Sequence, residues 1–103
     1  MSSPAKEQIA FLRFLVQAPK QQQIWLLKHI TQPQLDALGE VCYNLLYGHR
    51  DVTPLQLHRD IIRKVADKTS SVRTRRGMVQ NHPRVIVLAV ETIFKDDATN
   101  GSD

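Results

Sequence analysis

Residues 84–95 read RVIVLAVETIFK, and the conformation of this run decides the fold class. Its β-branched residues favour a strand. Counted from Arg84 through Phe94 it is 11 residues long, which is long for a strand and enough for three turns of helix. No second segment of strand character exists elsewhere in the chain to pair with it. A lone strand would leave its backbone N–H and C=O groups unpaired unless another chain supplied partners. The reading adopted is a buried helix, with a strand paired in an oligomer as the alternative.

The rest of the chain reads as helix. Ser3-Pro4 can cap and open a first helix, in which Ile9, Leu12, Leu15 and Val16 form an apolar face broadened by Phe11 and Phe14. Ala18-Pro19 interrupts it, and a second helix carries Ile24, Leu27 and Ile30 on one stripe beside Trp25 and Leu26. Thr31-Gln32-Pro33-Gln34 has the T-x-x-Q form of a capping box and introduces Leu35, Leu38, Val41, Cys42 and Leu45 at three- and four-residue steps. Gly48 is placed to end that helix in a left-handed conformation. Thr53-Pro54 repeats the start signal, and Leu57, Ile61 and Val65 make the next stripe, predicting a helix over 54–68. Ser71 opens a short basic helix through Val79, and Asn81-His82-Pro83 marks the boundary before the decisive run. The expected fold is all-α: a compact bundle of five or six short helices forming one domain over 1–95, followed by a disordered acidic tail at 96–103.

The chain has 103 residues, 42% hydrophobic and 23% charged, which is ordinary globular usage and argues against wholesale disorder. The net charge of +4 is unevenly spread. Residues 1–48 carry a net +1, residues 49–84 carry nine bases against three acids, and residues 85–103 carry a net −3. A basic block of that size attracts polyanions by displacing their counterions, although a solvated helix face has the same composition. The opening MSSPAKEQ is polar, unlike a secretory leader, and no run approaches the roughly 20 apolar residues of a membrane span. The expectation is therefore an intracellular protein, in nucleus or cytoplasm, with no membrane partner.

Little in the sequence points to catalysis. The single cysteine, Cys42, excludes an intrachain disulfide and sits on an apolar stripe as inert core filling. His29, His49, His58 and His82 have no metal-ligand spacing, and no phosphate-binding glycine loop or nucleophile elbow is present. The expectation is a non-enzymatic protein without metal, cofactor or small-molecule substrate.

What remains is Arg59, Arg63, Lys64 and Lys68, then Arg73, Arg75 and Arg76. These are the candidate nucleic-acid-binding residues. The last three have no acid within five residues, and the guanidinium fork matches phosphate oxygens. No aromatic residue lies between Tyr47 and Phe94, so base stacking within the block is not expected, and binding should run through the backbone without regard to sequence. A helix-turn-helix over 32–68 competes, but its linker exceeds the usual 3–4-residue turn. Phe11, Phe14, Trp25, Val87, Val90 and Phe94 are the candidate protein-interaction residues, as more apolar surface than one small core hides.

The order of these motifs resembles that of the small basic proteins of adintoviruses and related Polinton (Maverick) elements. In those proteins a leucine-rich helix with an E-x-x-x-N-x-L motif leads through a glycine to an L-T-P start, a basic stretch and an L-V-Q sequence. The matching residues are Glu40, Asn44 and Leu46 or Leu45, then Gly48, Thr53-Pro54, the bases from Arg59 to Arg76, and Met78-Val79-Gln80, within residues 11–80. Asp60 and Asp67 interrupt the basic stretch here, and NHPRVIVLAV replaces the family's glycine-rich apolar ending. The resemblance implies a minor virion or genome-packaging component of a double-stranded DNA virus or its endogenised relative. The partners expected are a nucleic acid met through its phosphates, and a second copy of the chain or a viral structural protein met through the apolar helical faces.

Overall fold

The run at 84–95 is helix. The computed structural model describes residues 3–48 and 53–101, with side chains described for all of these except Pro54 and residues 96–101. Its elements are α1 (Pro4–Glu7), α2 (Ile9–Gln17), α3 (Lys20–Lys28), α4 (Gln32–Tyr47), a 3-10 helix (Thr53–His58), α5 (Arg59–Ala66), α6 (Val72–Asn81) and α7 (Pro83–Gly101), with no strand among the described residues. Helix α7 resolves the conflict between its β-branched composition and its length by being surrounded. It packs against α2, α3, α4, α5, α6 and the 3-10 helix. Val85, Ile86, Val87, Ala89, Val90 and Ile93 are all buried, and Leu88 and Phe94 lean on the same core. A helix apolar on most sides is stable only as an interior element, and tertiary burial here outweighs helix propensity.

This placement corrects part of the interaction surface expected from sequence. Val87 is 7% and Val90 0% exposed, so both are core residues, and Phe94 is only partly accessible. Helix α7 also continues past residue 95 to Gly101, because extending a formed helix fixes one residue per added hydrogen bond.

Seven α-helices are present among the described residues rather than five or six. The extra one comes from Gln8, whose φ of −109° and ψ of 24° break the first helix into α1 and α2. The Ala5 N–H donates to Glu40 Oε2 of α4 at 3.0 Å, which ties the first turn to α4 separately from the helix that follows. The start signals hold at three places. The Ser3, Thr31 and Ser71 hydroxyls accept from the N–H groups of Lys6, Gln34 and Thr74, and Thr31 with Gln34 completes a reciprocal capping box. Several local readings differ from expectation, and Leu57 and Ile24, expected on apolar stripes, are exposed. Gly48 is extended (φ −87°, ψ 167°), not left-handed, and its N–H closes α4 on the Asn44 carbonyl at 2.7 Å. The segment begun by Thr53-Pro54 winds as a 3-10 helix before α5 begins at Arg59, where one helix over 54–68 was expected.

Helix α4 is the central element, packed against α1, α5 and α7. Leu35, Leu38, Val41, Cys42 and Leu45 are buried on its inner face together with Ala37 and Gly39, and burial pushes the Cys42 thiol pKa up to about 12. Its outer face, carrying Tyr43, Asn44 and Tyr47, borders α5 and the turn that follows it.

Candidate functional site

The basic block does not act as one surface, because the fold sends its members in different directions. Arg59 and Arg63 lie one turn apart on the exposed side of α5, with Lys64 exposed one step round, and Lys68 is exposed in the turn beyond it. Arg73 is exposed on α6. Arg75 and Arg76, expected as the leading phosphate contacts, are instead used inside the fold. Arg76 Nη1 donates to the carbonyl of Ile30, and Gln80 Nε2 donates to the carbonyl of Lys28 at 2.9 Å. Together they answer carbonyls at and just past the end of α3, where a cation also complements the helix dipole.

Arg75 is 9% exposed. Its Nη2 lies 3.6 Å from Asp36 Oδ1, and no protein group accepts from its Nε. Gly39 lies beside it and lets α5 approach α4 closely, since a Cβ there would stand 3.3 Å from the Val65 carbonyl oxygen. Asp67, the nearest acid in sequence, feels the Arg75 charge as the least of the influences on its carboxyl. The counterion of Arg75 comes from α4.

Three hollows follow one another along the α4–α5 boundary. The first, of about 120 Å³, is lined in part by Leu46, Gln56 and Arg59. The second, of about 520 Å³, shares Leu46 and adds Tyr43, Tyr47, Arg63, Asp67 and Lys68. The third, of about 550 Å³, shares Tyr43, Ala66 and Lys68 and reaches Asn44, Asp36, Glu40 and Arg75. The third hollow is balanced in charge, because Asp36 and Glu40 stand against Lys68 and Arg75. The middle one is cationic: Arg63 and Lys68 face the single acid Asp67. That carboxylate is already engaged. It accepts from the Thr69 hydroxyl at 2.6 Å, the Thr69 N–H at 2.9 Å and the Ser70 hydroxyl at 3.3 Å, and these bonds, the Thr69 hydroxyl first, hold its pKa below the usual value.

Tyr43 and Tyr47 are the residues that sequence reasoning missed. They are 48% and 67% exposed, with ring centroids 4.7 Å apart and planes tilted by 48°. The ground for expecting no aromatic beside the bases is thereby corrected: the chain separates these tyrosines from Arg63 and Lys68, and the packing of α5 on α4 brings them into one hollow. The signal available in sequence was their i, i+4 spacing on the face of α4 opposite its buried leucines.

Among the expected interaction residues, Phe14 and Trp25 are exposed, at 48% and 58%, and Phe11 is half-buried against the core. Trp25 stacks on His29 of the same turn at 4.6 Å. Among the described residues no helix is long and apolar enough to cross a membrane, and no group of three metal-ligating side chains forms. Comparison with known protein families, with curated proteins and with solved structures finds no match.

Proposed function

We propose that this chain is a non-enzymatic, nucleic-acid-associating protein, and that it serves as a structural component, in virion or genome packaging, of a DNA virus or an endogenised viral element. The observation that carries the reading is the row of Arg59, Arg63 and Lys68 along the α4–α5 boundary, whose middle hollow holds two of these cations and one carboxylate, tied to its own turn. Such a row meets a phosphate backbone without needing a base code. The viral half of the reading rests on the motif order. In this fold several of those motif residues have defined tasks: Glu40 caps α1, Val79 is buried in the core, and Gln80 answers the end of α3.

The test is fluorescence anisotropy with a labelled random-sequence duplex. Affinity in the micromolar range at 50 mM salt is expected, weakening as salt is raised. The triple substitution Arg59→Gln, Arg63→Gln, Lys68→Gln should weaken it about tenfold or more, because each lost phosphate contact removes part of the counterion-release driving force. Arg73→Gln should change it far less. Equal affinity of wild type and triple variant overturns the reading.

The exposed Phe14 and Trp25 favour a second reading, an assembly module that docks a second copy or a capsid-type protein on α2 and α3. It requires association in solution. A strictly monomeric species by light scattering, together with no shift on Phe14→Ser and Trp25→Ser, rules out self-association through this face.

A further inference from the structure

From the middle hollow we infer that the occupant of the α4–α5 boundary is a single-stranded nucleic acid, with unpaired bases stacked on Tyr43 and Tyr47 and phosphates held by Arg63 and Lys68. The inference rests on the proposed nucleic-acid association and names its substrate class. Three observations carry it. The two tyrosines of α4 are both exposed, and they stand side by side rather than singly. Their rings share a hollow of about 520 Å³ with the two cations. The one acid in that hollow, Asp67, has its oxygens committed to Thr69 and Ser70.

A duplex can meet the cations but not stack on the tyrosines, because its base faces are covered by their neighbours and its grooves present only base edges. An unpaired strand presents phosphates and base faces together. Aromatic faces beside a cationic track are the combination by which proteins hold single strands, and every base has a π-face, so the contact tolerates any sequence. At 48% and 67% exposure both side chains keep accessible surface for a base. Their i, i+4 contact also restricts both side chains before a ligand arrives, so less rotamer freedom is lost on binding. The apolar Leu46 forms part of the wall and is suited to the edge of a base rather than to a hydrated phosphate.

The experiment compares the labelled random duplex with a labelled 15-mer of deoxythymidine and one of uridine, at 50 and 200 mM salt, on the full chain. Single strand is expected to bind about tenfold or more tightly than duplex, since stacking on an aromatic side chain is worth about one decade or more per base. The pair Tyr43→Ala and Tyr47→Ala should remove that preference and leave duplex affinity nearly unchanged, and Tyr43→Phe with Tyr47→Phe should keep it, because phenylalanine retains the ring face without the hydroxyl. Photo-cross-linking of a 5-iodouracil strand to wild-type protein, with the attached peptide identified by mass spectrometry, serves without any substitution; attachment within α4 is expected. Equal binding of strand and duplex with no effect of the tyrosine variants, or cross-links confined to other helices, overturns the stacking inference and leaves the phosphate interface standing. No binding of any probe at 50 mM salt overturns both, and the tyrosine pair then serves to brace α4 or to dock a protein. Tighter binding of the uridine strand than of the thymidine strand identifies RNA as the source, and the reverse identifies DNA.

Discussion

A guanidinium taken out of water has to be answered by acceptors, and Arg75 and Arg76 are answered unequally. Arg76 donates to the Ile30 carbonyl, two residues past the end of α3. Arg75 has only a 3.6 Å contact with Asp36 and a buried Nε with no protein acceptor. The Asp36 side chain is 41% exposed, so it stays hydrated if its partner is removed. A buried cation with only a long contact to a half-exposed acid is often replaced by an apolar side chain of similar volume at little loss or some gain, whereas removing a well-placed hydrogen bond is a net loss. Arg75→Met is therefore expected to leave stability within about 1 kcal/mol of wild type or to raise it. Arg76→Ala is expected to lower it by about 1–2 kcal/mol, because a hydrogen bond from a charged group is lost and a carbonyl is left open. Exposed Arg73→Ala should stay within about 0.5 kcal/mol. Thermal or urea unfolding of the three variants checks the order, and a large loss for Arg75→Met alone would show that its guanidinium is better satisfied than its contacts indicate.

Between α5 and α6 the chain turns at Asp67, which is the C-cap of α5 and the acceptor for the next turn. Its carboxyl pKa lies below the usual 3.8, chiefly through the Thr69 hydroxyl and then the Thr69 N–H. A group whose folded pKa is depressed stabilises the fold above its unfolded pKa, and that contribution is lost as pH falls through the folded value. Asp67→Asn should thus lower the melting temperature at neutral pH, and the difference from wild type should shrink as pH drops below 3.8. A difference independent of pH would assign the turn to packing rather than to the carboxylate. At this scale the sequence was most readable where local chemistry acts alone: the caps at Ser3, Thr31 and Ser71 depend on residues three apart. It was least readable where a distant element decides. Gln8 breaks a helix whose first turn is tied to Glu40, thirty-five residues from Ala5, and the apolar run at 84–95 has no amphipathic period because α7 is enclosed on most sides. The same limit hid the site: Tyr43 and Tyr47 meet Arg63 and Lys68 only through the packing of α4 on α5.

The whole molecule has a radius of gyration of 12.6 Å and extents of 39 × 32 × 27 Å, as compact as a domain of this length should be. Compactness matters for the charge. A disordered basic segment can wrap a polyanion and bring every cation to it, whereas a rigid body offers only the cations that share a face. Of the nine bases in residues 49–84, Arg75 and Arg76 are committed to the fold, and Arg84 lies in a different hollow beside Lys20 and Glu91. Arg59, Arg63 and Lys68 are the three that follow one boundary. Three phosphate contacts give a slope of log affinity against log salt of about −3 on duplex DNA, against about −8 if all nine took part. Between 50 and 200 mM salt the first case loses about 40-fold in affinity and the second roughly 10⁵-fold, so a single titration separates them. The expected outcome is the shallow slope, flattened further by the Arg59, Arg63, Lys68→Gln substitutions and unchanged by Arg75→Met. A steep slope would mean that the basic block leaves the fold to bind, and the variant to make next would then cross-link α5 to α4 and ask whether affinity survives.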